Sequence, residues 1–192
     1  MRYTSTIIAT IALLTTGQTA LAQARWSAEL SGDAALPTQT LDGADLKTGG
    51  GFGLNVRYRF QPHLAAYAGW EWHLQQSEQI VPGETLDLND TGYAFGLRFE
   101  HPMLARTSYW VRGGGLFNHI EVENASGDLI DDTGHELGWE VGGGLTIPIG
   151  SRFGLTPGVR YRTFSGDVNV DGTSKPSTLS YVTMGLGLAF TF

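Results

Sequence analysis

With 192 residues, 27 Gly, 16% charged residues and a formal net charge of −7, the chain has room for one domain and lacks the basic face that nucleic acid requires. It contains no Cys, which excludes a disulfide framework, a thiolate metal site and a Cys nucleophile. No run of about 18 apolar residues follows the N-terminus, so a helical membrane span is excluded, whereas strands that cross a membrane need no such run.

The first element is an address label. Arg2 precedes the apolar stretch Ile7 to Leu14, and Ala20-Leu21-Ala22 closes it in the small-x-small pattern of a secretory signal. This predicts a cleaved signal peptide over residues 1–22 and a barrel domain over 23–192, with Ala22-Gln23-Ala24 as a second cleavage site. From Arg25 onward the pattern has period two and is broken by Gly, Pro, Asn and Asp clusters. Eight strands are predicted: Arg25 to Ala34, Gly50 to Phe60, Leu64 to Gln75, Asp90 to Glu100, Ser108 to Ile120, His135 to Ile147, Arg152 to Phe164 and Thr178 to Phe192. Each is long enough to cross a bilayer as a tilted strand of about 9 to 11 residues.

The connections alternate between short and long. Gln61-Pro62-His63, the segment around His101 to Ala105, and Pro148 to Ser151 are short, while Pro37 to Thr48, Ser77 to Asn89, Glu121 to Gly134 and Ser165 to Ser177 are long and polar. Short periplasmic turns and long extracellular loops are the rhythm of a bacterial outer-membrane barrel, and an even strand number puts both termini in the periplasm. The expected fold is therefore all-β: a transmembrane eight-stranded antiparallel up-and-down β-barrel in the cell outer membrane.

The two faces of each strand differ. In the last strand Val182, Met184, Leu186, Leu188, Phe190 and Phe192 alternate with Tyr181, Thr183, Gly185, Gly187, Ala189 and Thr191, which assigns the first set to lipid and the second to the lumen. Trp26, Phe60, Trp70, Trp72, Phe99, Tyr109, Phe153, Tyr161, Phe190 and Phe192 lie near strand ends, as aromatic girdles require.

The inward parity gathers Glu29, Arg57, Arg59, Glu71, His73, Arg98, Arg112, Glu140, Arg160 and Arg162 in one narrow lumen. An eight-stranded barrel has an interior that side chains fill, so these charges predict an internal salt-bridge network and no open channel. Cations outnumber acids in this set, which calls for further acids near the mouths, such as Glu100 and Glu136, or for water. Gly113 to Gly115 and Gly142 to Gly144 make room for the Arg side chains. No chemistry-bearing pattern emerges: His135 beside Asp131 and Asp132, and His73 near Ser77, lack a distinctive catalytic spacing, and Glu71 with His73 lacks a third metal ligand. No enzyme, metal or cofactor is expected. The outer loops concentrate acid at Asp42, Asp45, Glu78, Glu84, Asp87, Glu123, Asp128, Asp131, Asp132, Asp167 and Asp171.

Over its length the chain resembles the OmpA-like and opacity-type eight-stranded outer-membrane barrels. The resemblance lies in Tyr109 to Gly115, Trp139 to Leu145, Pro157 to Arg162 and Leu186 to Phe192. It implies that the terminal aromatics Phe190 and Phe192 are read by the barrel-insertion machinery, and that outer-membrane lipid and lipopolysaccharide surround the protein. The sequence ends at Phe192, so the peptidoglycan-binding domain that follows the barrel in OmpA is not carried over. The expected role is a non-enzymatic one, structural or in surface interaction through the extracellular loops with a ligand left open. A small porin-like channel is the alternative, and a lipid-modifying enzyme ranks third.

Overall fold

The computed structural model describes residues 25–39, 46–77, 86–103, 106–124, 126, 129–132, 134–170 and 173–192. Residues 1–22, expected to be a signal peptide, lie outside these residues, as do Asp42, Asp45, Glu78, Glu84, Asp128 and Asp171. Among the described residues there is no helix. The strands are β1 (Trp26–Pro37), β2 (Gly49–Gln61), β3 (Leu64–Ser77), β4 (Leu86–Pro102), β5 (Ser108–Asn124), β6 (Leu129–Asp132), β7 (Glu136–Ile149), β8 (Phe153–Val170) and β9 (Thr173–Thr191).

Every long strand pairs antiparallel with its neighbour in sequence, and β1 pairs with β9 from Ser27↔Thr191 to Pro37↔Tyr181, which closes the sheet. The result is a closed eight-stranded barrel. The four-residue β6 stands outside the count, because it pairs only with the far end of β5. Closure leaves no unpaired edge, which is the condition for a sheet to reside in lipid, where no water satisfies an open backbone.

The apolar parity faces out. Leu30, Phe52, Leu54, Val56, Phe95, Leu97, Val111, Leu137, Val141, Met184, Leu186 and Leu188 are exposed, which would be intolerable over so large an area in water and is what a hydrocarbon solvent asks for. Two aromatic belts border this band. At one end Trp26 packs against Tyr58, and Phe153 against Phe190; at the other Phe52 meets Trp70 and Trp72, and Trp139 meets Tyr161. Phe52 and Phe60 are separated by eight residues. That is about 27 Å along a strand and about 20 Å across the membrane at the usual tilt of about 40°.

Strand ends depart from the sequence expectation. The short turns fall as predicted at one end of the barrel, here the terminus end, but at the opposite hairpin end the strands run on through segments read as loop. β4 begins at Leu86, β5 continues to Asn124, and β8 and β9 reach Val170 and Thr173, so Ser165 to Ser177 is mostly a paired hairpin. Beyond the hydrocarbon both faces of a strand meet water, so the ladder persists after the apolar alternation has stopped.

Candidate functional site

The lumen is where the sequence places its chemistry. Nine of the ten expected side chains lie there buried: Glu29, Arg57, Glu71, His73, Arg98, Arg112, Glu140, Arg160 and Arg162. Arg59 is different. It has the inward parity of β2, but two residues beyond Arg57 the strand has reached the mouth, and its side chain is exposed.

Glu71 is the hub. Arg160 Nη1 donates to both of its oxygens at 2.6 and 2.7 Å, Arg112 Nη2 approaches at 3.3 Å and Arg162 Nη1 at 3.2 Å. Glu140 shares the same cations, lying 2.5 Å from Arg112 and 3.7 Å from Arg162, and accepts a 2.6 Å bond from the Tyr67 hydroxyl. The guanidinium of Arg112 also lies 4.6 Å over the Tyr67 ring. Nearer the terminus end Arg57 and Arg98 bracket Glu29 at 3.3 and 3.8 Å, and Arg98 meets Glu100 at 3.2 Å while stacking over Trp110.

The missing acids are Asp33 and Asp90. Asp33 lies 2.6 Å from Arg160 and 3.1 Å from His73 Nε2, and Asp90 accepts bonds from Asn118 at 2.6 Å and from the Tyr181 hydroxyl. Glu136, expected as a counter-acid, is half-buried on β7 and makes no ion pair within this network. Five buried guanidinium groups (57, 98, 112, 160, 162) thus face five buried carboxylates (29, 33, 71, 90, 140) among the described residues. Arg162 Nη1 lies 2.9 Å from His73 Nδ1, and a guanidinium only donates. Nδ1 is therefore the acceptor, and the ring proton belongs on Nε2, toward Asp33.

Toward the hairpin end the lumen turns apolar. Ala35, Leu88, Leu116, Ile120, Phe164 and Leu179 form a buried cluster with the ring of Tyr181, and Leu46 packs against it. Sequence reasoning missed this cap. The inward parity of Leu116 and Ile120 on β5 was its available trace.

The glycine triplets do open the lumen, yet the room goes to rings as well as to arginines. A Cβ on Gly114 would meet the Tyr67 hydroxyl at 2.6 Å, one on Gly144 the Trp110 ring at 2.6 Å, and one on Gly142 the Arg160 side chain at 2.6 Å. Between Glu29, Arg112 and Arg160 the free space is about 20 Å³, the size of one water molecule. At the terminus end the lumen widens into a chamber of about 270 Å³ beside Arg57, Arg59, Arg106 and Arg152.

Of the residues weighed for catalysis, His73 is fully buried against Arg162 and Tyr181, and His135 at the hairpin end packs its ring against His119 and Phe117; the side chains of Ser77, Asp131 and Asp132 lie outside the described ones. Among the described residues no three His, Asp or Glu side chains come together as metal ligands.

Charge is polarised along the barrel axis. The terminus end carries Arg25, Arg59, Arg106 and Arg152 in addition to the Arg57 and Arg98 pairs, whereas β4 to β8 carry Asp87, Glu121, Glu123, Asp131, Asp132 and Asp167 toward the hairpin end.

A closed barrel with a filled lumen, an apolar outer wall and two aromatic belts defines a small membrane-embedded β-barrel protein. The chain belongs to the outer membrane protein β-barrel domain family, whose profile matches residues 8–192. No curated protein matches its sequence. Among solved structures it is similar to Neisserial surface protein A, with 14% identity over 88% of this chain and 98% of that one and a TM-score of 0.63. It is also similar to OprG of Pseudomonas aeruginosa, with 16% identity, 88% and 97% coverage and a TM-score of 0.54. Ail, the attachment invasion locus protein of Yersinia pestis, aligns at 16% identity over 86% of this chain and 99% of that one, with a TM-score of 0.50. At these identities the likeness is one of fold.

Proposed function

We propose that the protein is a closed, non-enzymatic scaffold of the Gram-negative outer membrane that displays acidic hairpins at the cell surface, in a structural or surface-interaction role. The observation that carries this reading is the occupied lumen: a balanced ion-pair network is capped by an apolar cluster, and the space between Glu29 and Arg160 admits a single water. Acid concentrated on β4 to β8 at the hairpin end keeps that surface hydrated and suits divalent cations that bridge to lipopolysaccharide, or a basic ligand. In this reading both termini lie in the periplasm, residues 1–22 direct export, and Phe190 and Phe192 are read during insertion. Two of the similar structures carry names that describe surface roles, a surface protein and an attachment invasion locus protein, in keeping with this direction.

Planar-bilayer recording of the purified protein tests it. The expected outcome is no sustained conductance above the membrane background. A stable channel whose anion preference falls on Arg112→Gln or Arg160→Gln would replace the scaffold with a small pore.

A further inference from the structure

The chamber at the terminus end has no part in the scaffold role. It measures about 270 Å³ and is lined by Arg57, Arg59, Arg106 and Arg152, with Glu100 as its one carboxylate. Among the described residues the ion pairs at this mouth are those of Arg57 and Arg98 with Glu29 and Glu100. Arg59, Arg106 and Arg152 are exposed and make none. In a chain of net charge −7, three cations without an ion pair among the described residues, gathered in one concavity, mark a focused positive potential. The backbone holds them there. Arg106 occupies a turn with φ of 69°, and Arg152 lies two residues after Gly150, whose φ is 77°, so both sit in turns at the rim of the mouth and not in the strands of the wall. Ser151 and Thr191 add hydroxyl donors to the same lining.

We propose that this chamber is a phosphate seat, taking a phosphate group that is either free in solution or carried by a phospholipid headgroup. Guanidinium forks match carboxylate and phosphate alike, but three converging cations exceed what one carboxylate neutralises. A phosphate brings up to two negative charges and three acceptor oxygens. The chamber lies just below the size of ordinary small-molecule pockets, about 300 Å³ and above, which suits a single phosphate with its ester stem and not a whole nucleotide. Arg57 and Glu100 of its lining are themselves paired with Glu29 and Arg98 of the lumen network.

The test is titration of the full chain, in a phosphate-free maltoside detergent, with inorganic phosphate at constant ionic strength. Arginine side-chain N–H resonances report binding. Saturable shifts at Arg59, Arg106 and Arg152 are expected, absent with chloride, and weakened about tenfold in an R106Q/R152Q variant through loss of charge-assisted bonds. Both substitutions lie in turns, so the variant should keep the heat-dependent gel mobility of the closed barrel. A folded variant that titrates like the parent, a matching response to chloride, or no saturation would overturn the proposal. Repeating the titration in phosphatidylglycerol nanodiscs separates the sources. If the lipid headgroup is the occupant, added phosphate produces no further shift; if phosphate still titrates, the seat takes the free ion.

Discussion

Glu71 concentrates the energetics of the interior on one side chain, because Arg112, Arg160 and Arg162 all converge on it and the two acids that share them, Asp33 and Glu140, are fewer than the three cations. Removing one partner of a buried pair leaves the other charge stranded, so Glu71→Ala should lower the unfolding free energy by about 3–5 kcal/mol. Glu100 pairs with Arg98 at a mouth where its side chain remains 22% exposed. Glu100→Ala should lower it by less, since the buried Arg98 keeps Glu29 as a partner at 3.8 Å. Urea unfolding in detergent micelles checks both, and equal midpoints for the two variants would contradict a lumen graded from wet mouth to dry centre. Replacing whole buried pairs by apolar residues of similar volume is a different experiment, which stability alone does not forbid.

At the scale of strands, β8 and β9 hold 18 and 19 residues, well beyond the span of about 9 to 11 that a membrane needs. The excess forms the ladder Ser165↔Thr178 to Val170↔Thr173, beyond the point where the pairing of β1 with β9 stops at Pro37↔Tyr181. Deleting residues 168–175 should therefore change the melting temperature of the barrel by less than about 3 °C, a surface-loop effect; a large loss would show that the projecting hairpin clamps the wall. The length of this hairpin was invisible in the sequence for a physical reason. Period-two alternation records a difference between two solvents, and it vanishes when both faces of Asp167 to Val170 lie beyond the lipid, although backbone pairing goes on. Where lipid and lumen differ, as at Val182 to Phe192, alternation located the strand and its facing correctly. Asp33 and Asp90 were harder to see as lumen acids, because Asp33 sits between Gly32 and Ala34 near a strand end and Asp90 follows the turn-like Asp87-Leu88-Asn89. The inward leucines of the cap were missed for a related reason. Leu88 falls in the segment read as the loop Ser77 to Asn89, and Leu179 is the second residue of the strand drawn from Thr178, where parity has few neighbours to anchor it.

The whole molecule combines a closed backbone ladder with a tightly filled centre of paired charges. Detergent that strips away lipid leaves both untouched, so unboiled and boiled samples should run at different positions on a denaturing gel. A single position would argue against a closed barrel. The sequence made the ring of eight strands legible, since lipid-facing periodicity repeats around it, but not how the interior divides into a charged storey and an apolar one. That division depends on which side chains from distant strands meet at one height, and the shear of the closed barrel decides it.

The hub at Glu71 also bears on how such a ring assembles. Glu71 lies on β3, while its cations come from β5 and β8, neither of which borders β3 in the sheet. In an open, growing sheet Arg112 is two strands from Glu71, but Arg160 and Arg162 on β8 are four strands away, about 19 Å. Those two meet Glu71 across the lumen only once β1 has zipped onto β9, so completing the hub and sealing the seam are one event. A partly zipped sheet that already sat in lipid would hold its arginines and acids unmatched, which penalises stalled intermediates and makes the last seam the point of commitment.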